Sequence, residues 1–229
     1  MSIINTLPFL GFFFIGQIAA LYFISRQTIN NLFGFIRLFI HNDKVVFSLV
    51  SVIFLPGTFV HESAHFLAAI VLVLRVRGMN LFPQFTGNYI KLGSVEYEKK
   101  DAFRGFLVGI APIFVGIGIL WVIPFFKLFP SNNILWNIFI AYIIFAISST
   151  MFSSAKDMQD LAIVIPVIII MVGIYYIFNI RLDIIWKNKE LVSRLIGISR
   201  EIDLYLFFSI IIHISLIFLL KCLNSWFSR

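Results

Sequence analysis

The chain reads as an all-α polytopic membrane protein of about six transmembrane helices, with a small β-hairpin loop inserted after the second. Three observations predict this. Sixty per cent of the 229 residues are hydrophobic and 28 are Phe, with a mean hydropathy of +0.99. Only 13% are charged, about half the share of an ordinary soluble domain. Apolar stretches of about 20 residues, the length that crosses a ~30 Å hydrocarbon core, recur along the chain. They lack the alternation of barrel strands, and helices satisfy their own backbone groups in lipid.

The segments fall at about 7–25, 45–74, 103–129, 133–153, 159–180 and 202–221. The first lacks a basic leading region and a small-residue cleavage site, so a retained helix is expected. Asn30 to Ile40, with apolar residues at helical spacing around Arg37, is too short to span and predicts an interfacial helix. Leu182 to Arg200 mixes Trp186, Leu191 and Ile196 with Lys187, Lys189 and Arg194, and predicts a second helix on the membrane surface. Arg75 to Asp101 differs: Gly78, Pro83, Gly87-Asn88 and Gly93 are turn or breaker residues. Between them Asn88–Leu92 and Ser94–Glu98 alternate apolar and polar, which suggests one or two short β-hairpins. No linker or repeat divides the chain, so residues 1–229 are expected to form one integral membrane domain.

A net charge of +7 raises the question of an anionic partner. The basic residues are scattered through short loops rather than gathered in a stripe, which suits the headgroups of a lipid bilayer and not nucleic acid. The eighteen Lys and Arg divide evenly between the two sides of a six-span arrangement, so charge does not orient it. A single cysteine, Cys222, excludes an internal disulfide and a cysteine zinc cluster. Low-charge, Ile- and Phe-rich usage is compatible with a prokaryotic cell membrane.

The second segment carries His61-Glu62-Ser63-Ala64-His65. Histidines four apart stack on one helix face and can share a metal ion, here Zn2+. Glu62 sits beside that face as a candidate general base, since zinc lowers the pKa of a bound water towards ~7. Small residues at 63 and 64 leave room. Such a group could also be a polar helix–helix contact. A carboxylate near the bilayer centre costs ~2.5–3.5 kcal/mol, however, and is rarely kept without a role. Two of the four histidines of the chain fall in this arrangement.

Catalytic zinc takes three protein ligands plus water. The strongest candidate for the third is Asp157, after the fourth segment, with Asp160 three residues on. His213, Glu96 and Glu98 are weaker alternatives. In a six-span arrangement the second and fourth segments run the same way. His65 lies about 20 residues into one and Asp157 about 24 into the other, so they fall at similar depth. Asp157 would equally serve as a helix N-cap for the fifth segment.

With His-Glu-x-x-His in a hydrophobic segment, a β-rich loop, then Gly105-Phe-Leu-Val-Gly-Ile-Ala-Pro112 and a late intramembrane Asp, the chain resembles the site-2 protease class of intramembrane metalloproteases (peptidase family M50). Met151, Phe152, Ser154 and Asp157 are similar to the run found in its compact members. The resemblance covers about residues 45–180, the expected protease core. It implies a zinc endopeptidase that cuts membrane-spanning protein substrates. His61, His65 and Asp157 would be ligands, Glu62 the general base, and the site would face the cytosol. The setting Lys156-Asp157-Met158 differs from the Leu-Asp-Gly of the larger members, and Ser153 stands where the compact ones have Pro. The 75–104 loop is too short for their PDZ module.

A protease acting on a transmembrane helix must hold it unwound, and a strand edge within Tyr89–Tyr97 could do so by strand addition. The alternative is a loop that only shields the site from lipid. Rival functions are a catalytically inactive scaffold of the same family and a metal transporter. Intact Glu62 argues against the first. The second would need acidic or His residues at successive depths, and only His213 and Cys222 remain.

Overall fold

A computed structural model describes residues 3–81, 84–86, 89–91, 93–98, 100–152, 166, 170 and 189–227. Its helices are α1 (Ile3–Phe39), α2 (Asp43–Val71), α3 (Ala102–Phe125), α4 (Ile134–Thr150) and α5 (Lys189–Phe227). Four strands, β1 (Val76–Asn80), β2 (Gln84–Thr86), β3 (Tyr89–Lys91) and β4 (Ser94–Tyr97), lie between α2 and α3. Leu10–Phe39, α2, α3 and α5 are long and apolar enough to cross a membrane, consistent with a membrane protein, and α4 is a shorter apolar helix of 17 residues. The expected fifth segment, 159–180, falls outside the described residues apart from 166 and 170.

Two expected surface helices are instead continuations of long ones. Asn30–Phe39 carries α1 on without a break. Its polar residues do not end the helix, because they bond back to the preceding turn: Thr28 Oγ1 donates to the Ile24 carbonyl at 2.9 Å and Asn31 Nδ2 to that of Gln27 at 2.8 Å. Its apolar stripe of Ile29, Leu32, Phe33 and Ile36 packs on Val50 and Phe54 of α2 rather than on headgroups. Likewise Lys189–Arg200 runs straight into α5, with Val192 and Ile196 buried and an i,i+4 pair at 2.7 Å between Glu190 and Arg194. At 37 and 39 residues, α1 and α5 are about 55–58 Å long, well beyond a ~30 Å core.

Polar and aromatic contacts fix how the helices run. Gln17 Nε2 donates to the Asp203 carbonyl at 3.0 Å, Thr28 Oγ1 meets His213 Nδ1 at 2.9 Å, and the Phe39 and Phe227 rings lie 5.3 Å apart. Residue numbers rise together along both helices through these contacts, so α1 and α5 are parallel neighbours. α4 runs parallel to α2: Tyr142 donates to the Ile53 carbonyl at 2.9 Å, and further along Gly57 meets Ala146 and Thr150. A Cβ on Gly57 would lie 2.7 Å from the Ala146 carbonyl carbon and closer still to its oxygen, so only glycine lets these backbones approach. α3 runs antiparallel to α2, with Arg104 Nη1 on the Leu72 carbonyl at 3.2 Å and Val108 beside His65.

The strands form two two-stranded antiparallel ladders, β1 with β4 and β2 with β3. Strands do lie at 89–91 and 94–97, as their alternation predicts, but they do not pair with each other. Tight hairpin turns need residues at positive φ, and Gly93, between them, lies outside that region. Each pairs instead with an earlier strand: Met79 faces Val95 and Phe85 faces Ile90. The β1–β4 ladder is anchored on the helices, since Val76 and Tyr97 pack on buried Ala69, Leu74 and Val108.

Candidate metal centre

α2 begins at Asn42, whose side chain caps the Lys44 amide at 3.0 Å, and Arg37 of α1 pairs with Asp43 at 3.3 Å. From there 29 residues run unbroken past Pro56, and Gly57, His61 and His65 follow one another at four-residue steps on one face. That face meets α4 at Gly57 and α3 at His65. His61 lies between these two approaches along the helix, and His65 at the second.

The two imidazole rings are 4.7 Å apart and nearly perpendicular. Their Nε2 atoms approach to 3.0 Å. His65 Nδ1 lies 2.8 Å from the Val108 carbonyl. A carbonyl only accepts, so Nδ1 carries the proton and the His65 Nε2 lone pair points at His61. Two imidazole nitrogens on one tetrahedral zinc, at ~2.0–2.1 Å each, stand about 3.3 Å apart. The observed pair needs only a few tenths of an ångström to fit, and a metal-binding imidazole usually donates its far N–H to a carbonyl or carboxylate in this way.

Glu62 is 7% exposed and His65 6%. The β3–β4 connection covers Glu62: a Cβ on Gly93 would lie 2.7 Å from its Cγ, 2.8 Å from Oε1 and 3.0 Å from Cδ. Gly93 is therefore present for close approach to the carboxylate and not for a turn. Its place in the sequence suggested only a breaker. Val108 left no sequence signal of its own, because it acts through its backbone.

Of the other candidate ligands, His213 is 0% exposed and held at both nitrogens, by Thr28 Oγ1 at 2.9 Å and Ser148 Oγ at 3.2 Å. Glu98 is bonded to Arg77 at 2.7 Å, and its carboxylate holds that guanidinium above its ordinary pKa. Glu96 is exposed on β4. Asp157 and Asp160 lie outside the described residues. Among the described residues no group of three His, Cys, Asp or Glu side chains gathers as a metal site. No family model, curated protein or solved structure matches this chain.

Proposed function

We propose that the protein is an intramembrane zinc endopeptidase that hydrolyses peptide bonds of membrane-spanning proteins. The observation that carries this reading is the His61–His65 pair: facing Nε2 atoms at 3.0 Å, one ring fixed by a backbone carbonyl, beside a buried carboxylate on the same helix. His61 and His65 would hold the metal, with Asp157 as third ligand. In support of Asp157, the end of α4 reaches α2 at Gly57, one turn before His61 on the same face, and Asp157 follows seven residues after Thr150. The alternative ligands of the described part are engaged or exposed.

Zinc, when bound, supplies Lewis acidity towards water and the scissile carbonyl. Glu62 accepts the proton of the attacking water and passes it to the leaving amine nitrogen. Burial under Gly93 limits the rotamers open to the carboxylate, so it is held for this transfer rather than solvated. The two-stranded ladders after α2 offer strand edges on which an unwound substrate segment could be held by main-chain hydrogen bonds.

The experiment is cleavage of a transmembrane reporter substrate by purified protein in liposomes. Glu62→Gln should lower the rate by about 10²–10⁴-fold, the range for loss of a general base, while zinc content stays the same. Equal cleavage by both proteins would remove Glu62 from the mechanism. Absence of cleavage in a zinc-loaded wild type across a panel of membrane-spanning substrates would favour the inactive scaffold.

A further inference from the structure

A proline inside a helix has a consequence four residues earlier. Pro112 is fully buried within α3, and the helix continues through it. Its ring has no N–H, so the Val108 carbonyl loses the donor that an α-helix places four residues on. In the apolar interior such a carbonyl is costly to leave unpaired. The donor comes from another helix: it is His65 Nδ1, at 2.8 Å. The Val108 side chain, fully buried with Ala69 and Leu74, fixes the backbone that presents this carbonyl.

We propose that Pro112 is a positioning residue for His65. By removing the helical donor to Val108, it reserves that carbonyl for the imidazole and so selects the Nδ1-protonated tautomer, the one whose Nε2 presents its lone pair to His61. The consequence for metal affinity rests on the metalloprotease reading above; the tautomer does not. In Pro112→Ala the restored amide competes for the Val108 carbonyl and draws it back into line with the helix. His65 then loses the contact that set both its ring orientation and its proton. Pro124 supplies an internal control. It interrupts the same helix at the Leu120 carbonyl, which no histidine contacts among the described residues.

The test uses the full chain in detergent, labelled with ¹⁵N-histidine and stripped of metal by a chelator, with His65→Asn assigning the signal. Wild-type His65 is expected to be protonated at Nδ1. Pro112→Ala should shift it towards the Nε2-protonated form or a mixture, and chelator competition should show Zn2+ affinity lowered about 10–100-fold, the usual cost of losing a second-shell partner. Pro124→Ala should leave both readouts at the wild-type values. Protonation at Nε2 in the wild type would overturn the proposal, and that is read even if the variant does not fold. So would a folded Pro112→Ala protein with wild-type tautomer and zinc affinity, which is what a merely structural proline would give. A wild type with the expected tautomer and no zinc affinity would remove the metalloprotease reading and leave the assignment of His65 standing.

Discussion

Two histidines lie buried in the same helical bundle, and their hydrogen bonds differ in kind. His213 spends both ring nitrogens on hydroxyls from two other helices, Thr28 of α1 and Ser148 of α4. His65 spends one on the Val108 carbonyl and turns the other to a second histidine. The first arrangement closes three helices around a satisfied polar group. In the second, on the metalloprotease reading proposed above, one nitrogen aims the other. The residue type and the apolar setting are shared, so the proposal of His65 and not His213 as a ligand rests on the hydrogen-bond partners.

If that contrast is right, damage to the His65 region should appear in chemistry with the fold intact. Damage elsewhere should appear in stability with the chemistry intact. After the loss of Glu62, the largest effect is expected at Gly93. Gly93→Ala pushes a methyl group into the Glu62 side chain, and an ångström of misplacement should lower the cleavage rate about 10²-fold while zinc content is unchanged. Zinc loss in that variant would mean the loop supports the ligands and not the base.

Gly57→Ala sharpens the other side. Its methyl meets the Ala146 backbone and the Thr150 hydroxyl, so the two helices must move apart to admit it. The expected cost is about 1–3 kcal/mol of overpacking, in spite of the better helix propensity of alanine, read as a lower unfolding midpoint in detergent. Because Gly57 stands one turn before His61, a loss of zinc larger than the loss of folded protein would show that the α2–α4 approach also sets the site. His213→Leu should cost least, about 1 kcal/mol. Thr28 and Ser148 can fall back on the Ile24 and Phe145 carbonyls that they already reach within their own helices. Its zinc content should equal that of the wild type.

The sequence carried the long apolar helices, the strand-forming loop and the His61–Glu62–His65 face. They follow from apolar length, from alternation between turn residues and from four-residue spacing, and none of these depends on distant parts of the chain. Segment ends were less legible. Asn30 to Ile40 reads as a separate interfacial helix, and Leu182 to Arg200 as a surface one, until the partners of Ile36 on α2 and the continuity of α5 from Lys189 are known. Strand pairing was also hidden, because alternation says where strands lie and not which neighbour they choose. The contributions of Val108 and Gly93 belong to tertiary contacts, one through a carbonyl and one through the absence of a side chain, and no local pattern announces either.

The central claim is that His65 and His61 are metal ligands and His213 is not. Metal content of the detergent-purified protein tests it most directly, with wild type, His61→Ala, His65→Ala, Asp157→Ala and His213→Leu measured side by side. The account predicts about one zinc per chain in the wild type and in His213→Leu, loss in both His61→Ala and His65→Ala, and weakened binding in Asp157→Ala. A folded wild type without zinc would contradict it, as would a His213→Leu protein that loses the metal as His65→Ala does.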